Sequence, residues 1–216
     1  MISIGNDIVA LNHTNPERTV REKFYSKIIC KEELDLFYKG NFEISFENFI
    51  WLAWSIKESV YKFYKRHYQQ NTFVPTKIII KKIQEPIQQK EISDIEHESI
   101  SFNKEECFCC SISFNNSIFY SRSFINNSCI FTVANNKDCF KNVFWGIQKI
   151  DDDSYYSQSN FVRTFVLKRL REQFSNKDFD LQKATAGYPY LKNSQEIILS
   201  FTHHGNFVGY SFLVNK

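Results

Sequence analysis

The run from Asn48 to His67 constrains this chain more than any other segment, because its apolar residues recur at the spacing of one helix face. Stepping about 100° per residue gathers Phe49, Leu52, Ala53, Ile56, Val60 and Phe63 on one stripe, the core side of an amphipathic helix. Trp51, Trp54, Glu58, Lys62 and Lys65 share the opposite side. Two tryptophans are not left bare on a solvated face, so a second packed half or a bound ligand is expected to cover them, with a carboxylate and an ammonium beneath. Taken alone, Glu58 and Lys62 read as an exposed i,i+4 pair worth roughly 0.2–0.5 kcal/mol to the helix. The N-terminus points further. Ile2-Ser3-Ile4 alternates like a short strand and runs into Gly5-Asn6-Asp7-Ile8-Val9, and a carboxylate just past a Gly at a strand end is well placed for a metal or a phosphate.

The rest of the chain reads as helices and antiparallel strands. Pro16 to Phe37 is expected to be helical with an interruption, and Val74-Pro75-Thr76 to break into a strand over Lys77 to Ile83. Further strands are expected over Glu106 to Phe114, Ile118 to Phe124 and Cys129 to Ala134, joined at Asn115-Asn116 and Asn126-Asn127, since Asn tolerates the left-handed backbone of hairpin turns. After Asn135-Asn136 the theme repeats in shorter form. Phe144 to Ile150 is a candidate strand, Asp151-Asp152-Asp153 a solvated turn, Ser159 a cap for a helix over Phe161 to Phe174, and Ile197 to Phe201 and Phe207 to Val214 the last strands. The expected organisation is a first half over 1–136 and a second over 137–216, in an α+β fold.

Several classes fall away on composition. The 27 basic and 24 acidic residues are too balanced to argue for nucleic acid. The basic and aromatic interleaving of Tyr61-Lys62-Phe63-Tyr64-Lys65-Arg66 suits base stacking, but its aromatics partly belong to the core stripe. No stretch approaches the roughly 18 apolar residues of a membrane helix, and the N-terminus opens on a strand pattern, so a cytoplasmic protein is expected. Cys30, Cys107, Cys109, Cys110, Cys129 and Cys139 show no paired metal-ligand spacing and are expected to be reduced thiols.

Gly5-Asn6-Asp7, the acidic segment Cys30-Lys31-Glu32-Glu33-Leu34 and Trp54-Ser55-x-Lys57-Glu58-Ser59-x-x-Lys62 together resemble the paired signature of the 4'-phosphopantetheinyl transferases. Gly187-Tyr188-Pro189-Tyr190-Leu191 and Ser200-Phe201-Thr202-His203 are similar to that family's Gly-Lys-Pro and Ser-His elements, and Phe161 to Leu170 to the helix that precedes them in its larger, surfactin-synthetase-activating type. The two halves stand in the reverse order from that type. A site between two similar halves tolerates the swap, as in the small holo-acyl-carrier-protein synthase type, which builds it between copies of one subunit.

The resemblance implies a pseudo-dimer of two similar halves and transfer of the 4'-phosphopantetheine arm of coenzyme A to a serine of an apo acyl or peptidyl carrier protein, with Mg²⁺ as cofactor and 3',5'-ADP as the leaving product. It casts Asp7 and Glu58 as metal ligands and Lys62 as a cation on the diphosphate, with Glu58 or a metal-bound water taking the serine proton. Arg163, Pro189, Thr202 and His203 become coenzyme A contacts, an acidic carrier would dock on a basic strip from Lys57 to Arg66, and a monomer is the simplest assembly. Two departures bear on activity. Val9 stands where the larger type has a third carboxylate, and Tyr188 replaces the Lys of Gly-Lys-Pro. They motivate an alternative, a catalytically weak module that binds coenzyme A or a carrier without turnover. His204 has no assigned role.

Overall fold

The computed structural model describes residues 3–68, 72–93, 95–175 and 177–215. Its strands are β1 (Gly5–Ala10), β2 (Ile79–Gln84), β3 (Glu96–Ile100), β4 (Phe108–Phe114), β5 (Ser117–Ile125), β6 (Cys129–Asn135), β7 (Val143–Lys149), β8 (Leu181–Lys183), β9 (Pro189–Leu191), β10 (Ile197–His204) and β11 (Phe207–Val214). Its helices are α1 (Pro16–Thr19), α2 (Glu22–Tyr25), α3 (Lys31–Gly40), α4 (Phe46–Lys65) and α5 (Tyr155–Gln173). The fold is α+β. One antiparallel sheet runs β1-β6-β5-β4-β2, a second β10-β11-β7-β3, and β8 pairs with β9. No helix among the described residues is long and apolar enough to cross a membrane.

Helix α4 begins where Ser45 caps it, the hydroxyl accepting from Asn48 N at 3.1 Å. All six residues of the expected core stripe are at most 1% exposed, and the helix packs on β1, β5 and β6 of the first sheet. At about 1.5–3 kcal/mol for each fully buried large side chain, this face is a main source of the fold's stability. The opposite side is half-buried, and its tryptophans are covered by aromatics of the first half itself, not by a second half. Phe24 lies 5.8 Å from Trp51, and Phe73 5.3 Å from Trp54. Helix α4 also approaches β1 very closely. A Cβ on Gly5 would overlap the Ser59 carbonyl oxygen and come within 2.7 Å of Phe63 N, so the glycine is required for helix and strand to touch.

Two further cores complete the layers. Between the sheets, Trp145 of β7 stacks with Phe124 and Phe131 of the first sheet at 5.0 and 5.5 Å. On the far side of the second sheet, Val162, Phe165, Val166 and Leu170 of α5 pack against Leu199, Tyr210 and Phe212. The order is therefore helix, sheet, sheet, helix, with β3 crossing from the first half of the sequence to pair with β7.

Several local expectations need correction. The N-terminal strand starts at Gly5 and places Asp7 in its interior, where pairing with β6 runs through Ala10; Ile2 lies outside the described residues. Pro75–Lys77 forms a 3-10 turn, and β2 begins at Ile79. Ser154, whose side chain accepts from Ser157 N at 3.3 Å, caps α5 in place of Ser159. Asn115 and Asn116 do take left-handed φ of 47° and 58° in the β4–β5 turn. Asn126 acts differently, its side-chain oxygen accepting from Ser128 N and Cys129 N at 2.9 and 2.7 Å.

Candidate active site

The outer edge of β1 is closed by side chains instead of a further strand. The N–H groups of Asn6, Ile8 and Ala10, which point away from β6, donate to Ser200 Oγ at 3.1 Å, Thr202 Oγ1 at 3.0 Å and His204 Nδ1 at 2.9 Å. Alternate residues of β10 share a face, so one polar row answers one row of donors. This ladder stitches the two sheets together and gives His204 its role. Acceptance at Nδ1 requires the proton to sit on Nε2, and burial, then His13, keeps the ring below the usual histidine range.

Held between this ladder and α4, Asp7 is 4% exposed. Glu58 and Lys62, one helical turn apart, turn toward it. Lys62 Nζ lies 3.0 Å from Asp7 Oδ1, 3.3 Å from Glu58 Oε1 and 3.2 Å from Thr202 Oγ1. The Thr202 hydroxyl has one proton and gives it to Asp7 Oδ1 at 3.1 Å, while accepting from Ile8 N and Lys62. Asp7 Oδ2 is buried without a hydrogen-bond partner among the described residues.

The electrostatics follow. Burial, joined by the neighbouring Glu58 charge and opposed by Lys62, raises the Asp7 carboxyl to about 7. For Lys62, burial works toward a lower value, but Asp7 and then Glu58 outweigh it and hold the ammonium above its ordinary range. Two carboxylates thus face one ammonium, which leaves one negative charge unbalanced when all three are ionised. The set fits a hard divalent cation, which prefers oxygen ligands: a bare buried carboxylate oxygen on Asp7 and a half-buried carboxylate on Glu58. Val9, expected as a gap in the ligand set, has its side chain in the α4 core.

Two clefts meet at Glu58. One, of about 430 Å³, is floored by Trp51, Trp54 and Phe24 and rimmed by Arg18, Lys27 and His203. The other, of about 300 Å³, carries Tyr61, Lys62, Lys65 and Arg66 against Gly187, Tyr188 and Pro189. The structure therefore brings Asp7, Glu58, Lys62 and Thr202 into contact, places His203 on the rim of the larger cleft beside Tyr155 at 5.6 Å, and places Pro189 in the smaller one. Burial, then Lys62, lowers the His203 pKa. Arg163 stands apart, donating to Leu181 O at 3.5 Å and lining neither cleft.

Two further arrangements were not anticipated. Arg66 covers the Tyr188 ring at 4.5 Å and donates to the carbonyls of Pro189, at 3.1 Å, and Leu199. A cation from the helix thereby stands where Gly-Tyr-Pro lacks its lysine. Burial lowers the Arg66 pKa to about 10. Lys57, expected on a basic docking strip, is instead fully buried on Glu33 at 2.6 Å. Its only sequence-level hint is the acidic segment upstream of α4.

The architecture and site together define an α+β protein in which Asp7 of β1 and Glu58 of α4 meet through Lys62 where two clefts join. A sequence model of the 4'-phosphopantetheinyl transferase superfamily matches residues 3–113, just over half of the chain, including β1, α3 and α4. The chain belongs to that superfamily. No curated protein and no solved structure matches it.

Proposed function

We propose that this protein transfers the 4'-phosphopantetheine arm of coenzyme A to a serine of an apo acyl or peptidyl carrier protein, in a Mg²⁺-dependent reaction that releases 3',5'-ADP. The observation that carries this reading is the junction of Asp7, Lys62 and Glu58, with Asp7 Oδ2 bare, at the meeting point of two clefts. Coenzyme A has the matching layout: a central diphosphate, a charged nucleotide on one side and an uncharged arm on the other. The nucleotide suits the cleft with Lys62, Lys65 and Arg66, and the arm suits the tryptophan-floored cleft.

Asp7, through Oδ2, and Glu58 are the residues that would hold Mg²⁺, whose charge would offset that of the diphosphate. Val9 offers no ligand, so waters and phosphate oxygens would have to complete the ion's shell. Lys62 acts as a point charge on the diphosphate, set in place by Asp7 and Thr202. Glu58 is the accessible acid of the pair, with 28% of its side chain exposed against 5% for Asp7, and it takes the proton of the incoming serine. The serine oxygen bonds to the pantetheine-bearing phosphorus as the bond to the 3',5'-ADP oxygen breaks, so positioning and charge neutralisation carry most of the rate. The site lies within one chain, and the protein acts as a monomer.

The test is intact-mass spectrometry of a panel of apo carrier proteins incubated with this protein, coenzyme A and Mg²⁺. A gain of one phosphopantetheinyl group that requires Mg²⁺, Asp7 and Glu58 is the expected result. Coenzyme A binding without any gain, unaffected by Asp7→Ala, would overturn it in favour of a binding module.

A further inference from the structure

A second cluster of chemistry lies in the first sheet, away from the carboxylates. Cys109 of β4 stands directly opposite Arg122 of β5 in the strand register. Directly paired strand residues have Cβ atoms roughly 4.5–5.5 Å apart. Both line a cleft of about 190 Å³ with Lys82, Lys104 and Asp138. Three cations there face one carboxylate. Arg122 is 2% exposed, stacks over Phe140 at 4.6 Å, pairs with Asp138, and has its Nε buried without a partner among the described residues. Cys107 sits in the bend just before β4, its thiol donating to Asn103 O at 3.1 Å, and the Cys109 thiol reaches the carbonyls of Cys107 and Lys104, each at 3.5 Å. Both sulfurs therefore approach the same turn at Asn103 and Lys104.

We propose that Cys109 is a reactive thiol, modified by hydroperoxides that enter this cleft, and that Cys107 is the thiol that closes on it. Half-burial in a cationic pocket beside a second thiol is the setting in which a cysteine becomes nucleophilic. The neighbouring Cys107 thiol, then Arg122 and Lys104, lower the Cys109 thiol to about 7 against its own burial, while Cys107 is raised. The sulfur of Cys109 attacks one peroxide oxygen, the O–O bond breaks, and the other oxygen leaves as water or alcohol after taking a proton. Cys109 is then a sulfenic acid. The Cys107 sulfur attacks it, the S–O bond breaks, a second water leaves with the Cys107 proton, and a disulfide remains. Two thiols are oxidised and one peroxide is reduced.

Cys139 is exposed and serves as an internal control, because reactivity that merely followed exposure would appear there first. In the intact protein at pH 7, limiting iodoacetamide followed by peptide mass spectrometry is expected to label Cys109 about fivefold faster than Cys139. Lys104→Gln, at an exposed position, should narrow that ratio roughly twofold. With hydrogen peroxide, the wild-type peptide should lose two hydrogens between Cys107 and Cys109, and Cys107→Ser should leave a Cys109 sulfenic acid that dimedone traps. Labelling of Cys139 ahead of Cys109 would overturn the proposal, as would a Cys109 sulfenic acid that persists in the wild type with Cys107 free.

Discussion

Lys57 and Lys62 rise from the same helix, and each meets a carboxylate within 3.0 Å, yet their surroundings differ in the way that separates a structural pair from a site. Lys57 and Glu33 are both fully buried and nearly saturated. Lys57 also donates to Ile28 O at 2.7 Å, while Glu33 accepts from Cys30 N and Ile80 N at 2.9 Å each. That network ties α3, α4 and β2 together. Lys62 answers two carboxylates at once, leaves Asp7 Oδ2 without a partner, and opens onto two clefts. A buried polar group left unsatisfied costs about 1–3 kcal/mol. Its persistence beside a half-buried acid is what a bound cation would explain.

The sharpest way to break this comparison is to remove the first lysine. Lys57→Met strands a buried Glu33 carboxylate and should cost about 3–5 kcal/mol, read as a lower urea midpoint with unchanged slope. Burial lowers the Lys57 pKa, and Glu33 only partly offsets this, consistent with a charge held by its partner. The mirror test is Glu58→Gln. It should lower carrier modification about 10²–10⁴-fold while moving stability by no more than about 0.5 kcal/mol, since its ion pair with Lys62 is partly exposed. If Glu58→Gln unfolds the protein, or Lys57→Met spares stability while abolishing transfer, the two lysines have exchanged roles and the distinction fails.

How much of this was legible follows from which forces are local. The α4 stripe, the Asn115-Asn116 turn and the Glu58–Lys62 pair are written in periodicity, turn chemistry and motif spacing, and each stands where the spacing puts it, whereas Asp7 meets them from the interior of β1 and not from a strand end. Ser154 does not read as a cap from sequence because the first turn of α5 carries the exposed Tyr155 and Tyr156, which have no apolar period. The polar strand Glu96–Ile100 gave no alternation, because it is an edge strand held by pairing to β7. Lys57 looks like any helix-surface lysine until α3 is folded over it. The ladder from Ser200, Thr202 and His204 to β1 joins groups 194 residues apart, and only the packing of the two sheets reveals it.

Acidity separates the two regions next. A carboxyl raised to about 7 stabilises the metal-free fold most below its unfolded value, near 3.9, and that contribution is lost as pH rises through about 7. The raised Lys62 stays protonated across this window and does not alter the sign. If Mg²⁺ binds as proposed it competes with the Asp7 proton, so its affinity should fall roughly tenfold per pH unit below about 7. Thermal melts with and without Mg²⁺ at pH 6 and pH 8 measure this, and the metal-induced rise should be larger at pH 8. An equal rise at both would mean that the ion does not contact Asp7.

The smallest expected effect tests the link between the regions, because Thr202 belongs to both the ladder and the site. Its hydroxyl accepts the Ile8 N–H and orients Asp7 Oδ1, so Thr202→Val removes one buried acceptor and one donor to a carboxylate. About 1–2 kcal/mol of stability should go, and with it several-fold in Mg²⁺ affinity, since Asp7 is then free to turn. Thr202→Ser keeps the hydroxyl and should restore both. A valine variant that loses stability but binds Mg²⁺ as before would assign Thr202 to the ladder alone. It would leave Lys62 as the group that holds Asp7 in place.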